Sequence, residues 1–134
     1  MSELEALEAA VAGEHAAVYA YGLVGGRLPA DQQGRARSAL DAHRARRDRL
    51  RARVVALGGT PPPAAIAYDP PFPVIDAESA RALAAYVEDR LVPVYADLAA
   101  AVTGDERTEA VLTAREAAVR AVAWGGSPQA FPGG

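Results

Sequence analysis

The chain has 134 residues and a net charge of −3, with 51% apolar and only 6% aromatic residues, which suits one domain whose core is filled mainly by Ala, Leu and Val. It has no cysteine, which excludes disulfides, thiolate catalysis and zinc–thiolate sites. No apolar run approaches the ~20 residues of a membrane span, and the acidic start "MSELEALEAA" lacks the basic-then-apolar pattern of a secretion signal, so a cytoplasmic protein without membrane contact is expected.

Ser2 followed by Glu5 forms a capping box and opens a first helix. Leu4, Leu7, Val11, Glu14, Val18 and Tyr21 recur at steps of three and four, one face of a helix that ends at Gly25-Gly26. A second helix is expected from about residue 30 to Leu57, with the stripe Ala36, Leu40, His43, Arg47, Leu50 and Val54, closed by Gly58-Gly59. The next stretch, "TPPPAAIAYDPPFPVI" (60–75), carries six prolines and can be neither helix nor central strand. Polyproline geometry would let it run ~50 Å, more than the ~39 Å of a helix of about 26 residues, so it can span the whole helical pair. Ile66, Tyr68, Phe72, Val74 and Ile75 give it apolar side chains to lay on the helices, which predicts a packed crossover within 58–76.

Asp76 can cap a third helix running to about Val102, with Pro93 inside it as an expected kink. Its stripe is Ala84, Glu88, Leu91, Tyr95, Leu98 and Val102. A turn at Thr103–Glu106 leads to a fourth helix ending near Trp124, and residues 125–134 read as an irregular tail. No internal repeat stands out. Four helices with two short loops and one long crossover predict an all-α four-helix bundle over 1–134, in which helices 2 and 3 are parallel.

This arrangement resembles the ferritin-like superfamily. More narrowly, "GEHAAVYAYG", "AHRARRDRL" and "VEDRLVPVY" are similar to an actinobacterial ferritin-like domain family of unknown function, over residues 2 to about 132. In the superfamily a di-iron site takes a Glu from each of two helices and a Glu-x-x-His from each of the other two. Here Leu40 stands three before His43, and Val119 three after Glu116.

Helices 1 and 2 turn near residue 28, so Glu14 should face His43, and Glu8, Glu5 and Glu3 should face Arg49, Arg51 and Arg53. Glu14, His43, Glu88 and Glu116 all fall near mid-bundle. They define a candidate metal layer that would hold a single iron, manganese or zinc ion at best. The simpler expectation is a metal-free polar cluster of Glu14, His43 and Arg47 (or Arg46) with no cofactor, the remnant of a degenerate site. His15, one position off the stripe, is expected at the surface or in a groove, and Tyr19, Tyr21, Tyr86 and Tyr95 in ordinary core and interface roles.

All fourteen basic residues are Arg, and residues 27–53 hold nine of them against three Asp. These arginines point around much of the second helix and are interrupted by Asp41 and Asp48, unlike the one-faced footprint of a nucleic-acid binder. A homodimer interface suits them better. No nucleophile constellation or phosphate loop is present. Three function classes follow: a non-catalytic domain acting through assembly or partner binding, a metal-binding protein or oxidase with few ligands, and a DNA-protecting protein. The first fits the residues best.

Overall fold

The computed structural model describes residues 1–125 and consists of four helices, α1 (Glu3–Gly25), α2 (Ala30–Ala56), α3 (Ala77–Ala101) and α4 (Gly104–Ala123), with no strand among the described residues. The expected tail lies outside that range beyond Gly125. Local chemistry sets the helix ends. Ser2 caps α1 and Asp76 caps α3, each in a reciprocal capping box that satisfies two otherwise orphaned N–H groups. At the start of α4 Thr103 makes no side-chain capping bond, and the helix begins directly at Gly104, whose φ of 62° favours a residue without Cβ. Pro93 leaves α3 as one continuous helix, with its ring on the exposed side.

Side-chain pairings fix the helix directions. Glu14–His43, with Leu4 close to Gly59 at the far end, sets α1 antiparallel to α2. Tyr21–Glu88 and Glu14–Tyr95 set α1 antiparallel to α3. Both α2 and α3 therefore run opposite to α1, and Gln32–Arg81 together with His43–Glu88 shows them parallel. α1 packs closely on α2 and α3, and α3 on α4, whereas α2 and α4 are bridged by the longer pairs Arg46–Glu116 and Arg53–Glu106. The segment between α2 and α3 touches the bundle through Tyr68 on Tyr19, Phe72 on Tyr86, and Phe72 and Val74 on the core. Ile66 and Ile75, expected to pack there, are instead exposed, at 104% and 71%. The prolines leave too little freedom for every apolar residue of the segment to turn inward.

The helices also carry a repeat that the sequence reading missed. α1 and α3 start at residues 3 and 77, α2 and α4 at residues 30 and 104, and each pair is offset by 74. Under that offset the caps Ser2 and Asp76 match, as do the buried pairs Ala6/Ala80, Ala10/Ala84, Ala17/Leu91, Val24/Leu98 and Ala36/Ala110. The molecule is thus two helical hairpins with equivalent positions, and side-chain identity drifts so far between them that only positions, not letters, reveal it.

Candidate functional site

The repeat builds the buried centre. Glu14 and Glu88 are equivalent, and each is followed seven residues later, two helical turns along the same face, by a tyrosine: Tyr21 and Tyr95. Because α1 and α3 are antiparallel, each tyrosine reaches the other helix's glutamate. Tyr95 donates to Glu14 Oε2 at 2.5 Å, and Tyr21 donates to Glu88 Oε2 at 2.5 Å. His43 of α2 lies between the two acids, with Nδ1 2.5 Å from Glu14 Oε1 and Nε2 2.9 Å from Glu88 Oε2. Trp124, just past α4, donates Nε1–H to Tyr21 Oη at 3.0 Å, while the Arg35 guanidinium covers its ring at 3.8 Å. The chain of contacts runs Trp124–Tyr21–Glu88–His43–Glu14–Tyr95, and all six side chains are buried.

Protonation follows from geometry. Each nitrogen of His43 faces a carboxylate oxygen that can only accept, so both nitrogens act as donors and the ring is an imidazolium. Burial alone would lower its pKa, but the hydrogen bonds and charges of Glu14 and Glu88 outweigh burial and raise it to about 9. Burial, reinforced by the neighbouring carboxylates, holds the Tyr21 and Tyr95 phenols well above their usual range, so they remain donors. Arg46 adds a second positive charge, with Nη1 3.6 Å from Glu14 Oε2. Two buried atoms lack a partner among the described residues: Glu88 Oε1 and Arg120 Nη1. Arg120 is the repeat equivalent of Arg46.

Of the sequence candidates, Glu14, His43 and Glu88 come together. Glu116 does not: it is 48% exposed and bonds Arg46 and Arg120 on the flank. The position equivalent to His43 on α4 is Ala117, one residue further along and buried, and Val119, also named in the ligand pattern, is 69% exposed. Arg47 lies outside the cluster, bonding Asp48, and Arg46 takes its expected place. None of the expected pairs Glu8–Arg49, Glu5–Arg51 and Glu3–Arg53 is among the ion pairs of the described residues. Glu5 is held by the capping box, and Arg53 turns to Glu106. His15 is buried rather than exposed and donates Nε2–H to the Pro62 carbonyl, which pins the Pro-rich segment to α1. Burial lowers its pKa, against the opposing pull of that carbonyl. Tyr21 and Tyr95 had the Glu-x₆-Tyr spacing as their signal, visible twice. Tyr19 and Tyr86 do pack as ordinary ring partners of Tyr68 and Phe72.

Fold and site thus define a small all-helical four-helix domain with a buried acid–histidine–acid centre. Residues 6–134 match the family model described as "Domain of unknown function (DUF4439)", and the chain belongs to that family. It is similar to the crystal structure of a conserved hypothetical protein, rv2844, from Mycobacterium tuberculosis, with a TM-score of 0.87 and 35% identity over 91% of this chain and 93% of that one. No curated protein matches it.

Proposed function

We propose that the chain is a ferritin-like domain in which a protonated histidine stands where a metal ion would, and that it acts in the cytoplasm through assembly and partner binding rather than turnover. The observation that carries this is the double engagement of His43. A ring whose two nitrogens both donate to carboxylates has no lone pair for a metal. The imidazolium itself neutralises the acids, and Arg46 helps.

The remaining ligand positions agree. Leu40 stands where the second helix would supply a carboxylate, and under the 74-residue offset the α4 equivalents of Leu40 and His43 are Ala114 and Ala117. Glu14, Glu88 and His43 are what is left of six ligands, and the residues present do not fit a di-iron centre. The ferritin-like reading is supported by the parallel α2 and α3 joined by a long Pro-rich segment. The scattered, acid-paired arginines speak against a nucleic-acid surface.

Protein incubated with iron(II), manganese or zinc and then desalted should retain well under one ion per chain, and a chelator should leave its melting temperature unchanged. Stoichiometric metal that disappears in Glu14→Ala would replace this reading with that of a metalloprotein.

A further inference from the structure

The repeat places two equivalent cavities between α2 and α4, and the chain charges them differently. One, of about 270 Å³, lies among Arg46, Arg49, Leu50, Glu109 and Thr113. The other, of about 280 Å³, is lined by Arg35, Ser38, Ala39, Arg120, Ala123 and Trp124. Under the 74-residue offset Glu109 corresponds to Arg35, Thr113 to Ala39, Arg46 to Arg120, Arg49 to Ala123 and Leu50 to Trp124. In the first cavity the cations are answered from within the chain. Arg46 bonds Glu116 and lies 3.6 Å from Glu14, Arg53 on the same wall bonds Glu106, and Glu109 adds a further acid. In the second, Arg35 stands where Glu109 does, and no acid lines the wall among the described residues. Glu116 reaches its edge through Arg120 Nη2 at 3.0 Å, but is shared with Arg46. Of the acids close by on α2, Asp41 pairs with Arg44 and Asp31 pairs with no arginine among the described residues.

We propose that this second cavity binds a phosphate group, free or carried by a small phosphorylated molecule, between Arg35 and Arg120. Both cations have donors to spare. Arg35 is in no ion pair or hydrogen bond among the described residues; its guanidinium lies over the Trp124 ring at 3.8 Å. Stacking uses the face of the guanidinium and leaves its N–H edge free. Arg120 spends one nitrogen on Glu116, and its Nη1 has no partner among the described residues. The first turns of α2 and the last turn of α4 meet here antiparallel, so their dipoles offset and the arginines set the sign. Two guanidinium edges and the Ser38 hydroxyl, arriving from two helices, offer more donors than a planar, singly charged carboxylate can take. A phosphate presents oxygens in tetrahedral directions and approaches two charges at neutral pH. The cavity is at the small end of the ligand-pocket range of about 300–1,000 Å³, room for a phosphate and little more than a short organic group. The site is independent of how the buried centre is read, although Trp124 joins the two through its bond to Tyr21.

The chain's one tryptophan sits on the cavity wall, so binding is read directly. The whole chain is titrated with inorganic phosphate, glycerol phosphate and acetate at constant ionic strength, following Trp124 fluorescence and, in parallel, calorimetry. Both phosphate probes are expected to give a saturable change at millimolar concentration or below, and acetate none. Arg35→Gln, at an exposed position, and Arg120→Gln should each weaken binding at least about tenfold, the loss of a charge-assisted hydrogen bond. Arg49→Gln, on the wall of the equivalent cavity, should leave it unchanged. Calorimetry reads the Arg35 variant independently of the altered surroundings of Trp124, and melting curves check that each variant is folded. Tighter binding of glycerol phosphate would identify a phosphorylated molecule as the ligand, and equal or weaker binding the free ion. No saturation by either phosphate probe, or affinity that survives both Arg35→Gln and Arg120→Gln, would overturn the site. Acetate binding as well as phosphate would overturn the choice of ligand.

Discussion

At the scale of single residues, the two tyrosines do equivalent work with unequal consequences. Each donates to a buried carboxylate, and removing one hydroxyl leaves that acceptor short of a donor in a dry site. Tyr95→Phe is expected to cost ~1–3 kcal/mol of stability, since Glu14 Oε2 keeps only Arg46, at a longer 3.6 Å. Tyr21→Phe should cost at least as much, because the Tyr21 hydroxyl oxygen also accepts from Trp124 Nε1. It should in addition shift the fluorescence of Trp124, the chain's one tryptophan, while Tyr95→Phe should not. Denaturant melts followed by fluorescence check both. Equal spectra for the two variants would show that the Trp124 contact is not made in solution.

At the scale of elements, capping and periodicity made much of the helical layout legible. Ser2 with Glu5, Asp76, and the glycines after α1 and α2 mark helix ends because their chemistry is local. The pairing of Glu14 with His43 was also readable, since an antiparallel hairpin fixes register once its turn is known. What could not be read depends on three dimensions. Burial of His15 requires the Pro-rich segment to lie over it, and the choice of Arg46 over Arg47 turns on about 100° of rotation around α2. Glu116 misses the centre for the same reason: Ala117, one residue and about 100° further round α4, takes the inward position. The end of α2 shows how tightly the Pro-rich segment is launched. Gly58 has a φ of 82°, and a Cβ on Gly59 would lie 2.6 Å from Leu4 Cδ1 and 3.1 Å from Val54 Cγ1. Gly59→Ala should therefore destabilise the chain by ~1–3 kcal/mol, the usual cost of overpacking. Gly34→Ala, on the exposed side of α2 with nothing within 4 Å, should be neutral or slightly stabilising. Thermal melts of the two variants give the comparison, and a Gly59→Ala protein as stable as the wild type would mean that the Leu4 and Val54 contacts give way easily.

At the scale of the whole molecule, the buried centre ties stability to pH. His43 has a folded pKa of about 9 against an ordinary value of 6.5, so folding favours its protonated form. That contribution is fully present below pH 6.5 and is lost as pH rises through 9. The loss should reach the order of 3 kcal/mol, because each unit of pKa difference is worth about 1.4 kcal/mol. His15 has the opposite sign: its folded pKa is lowered, so its contribution is present above pH 6.5 and fades as pH falls. Stability should therefore peak between the two limbs, near pH 6 to 7. The alkaline limb is unusually clean, since the chain has no cysteine and no lysine, and its arginines keep their charge. The groups facing the ring are Glu14, Glu88, Tyr21, Tyr95 and Arg46; the two phenols are held above their usual range and do not titrate across this window. Urea midpoints at pH 6.5, 8 and 9.5 should fall steadily for the wild type. They should fall far less for His43→Gln, which is less stable throughout because it leaves two buried acids without their cation. A flat profile in the wild type would mean that His43 is neutral in the folded protein, and the imidazolium at the centre of the bundle would have to be given up.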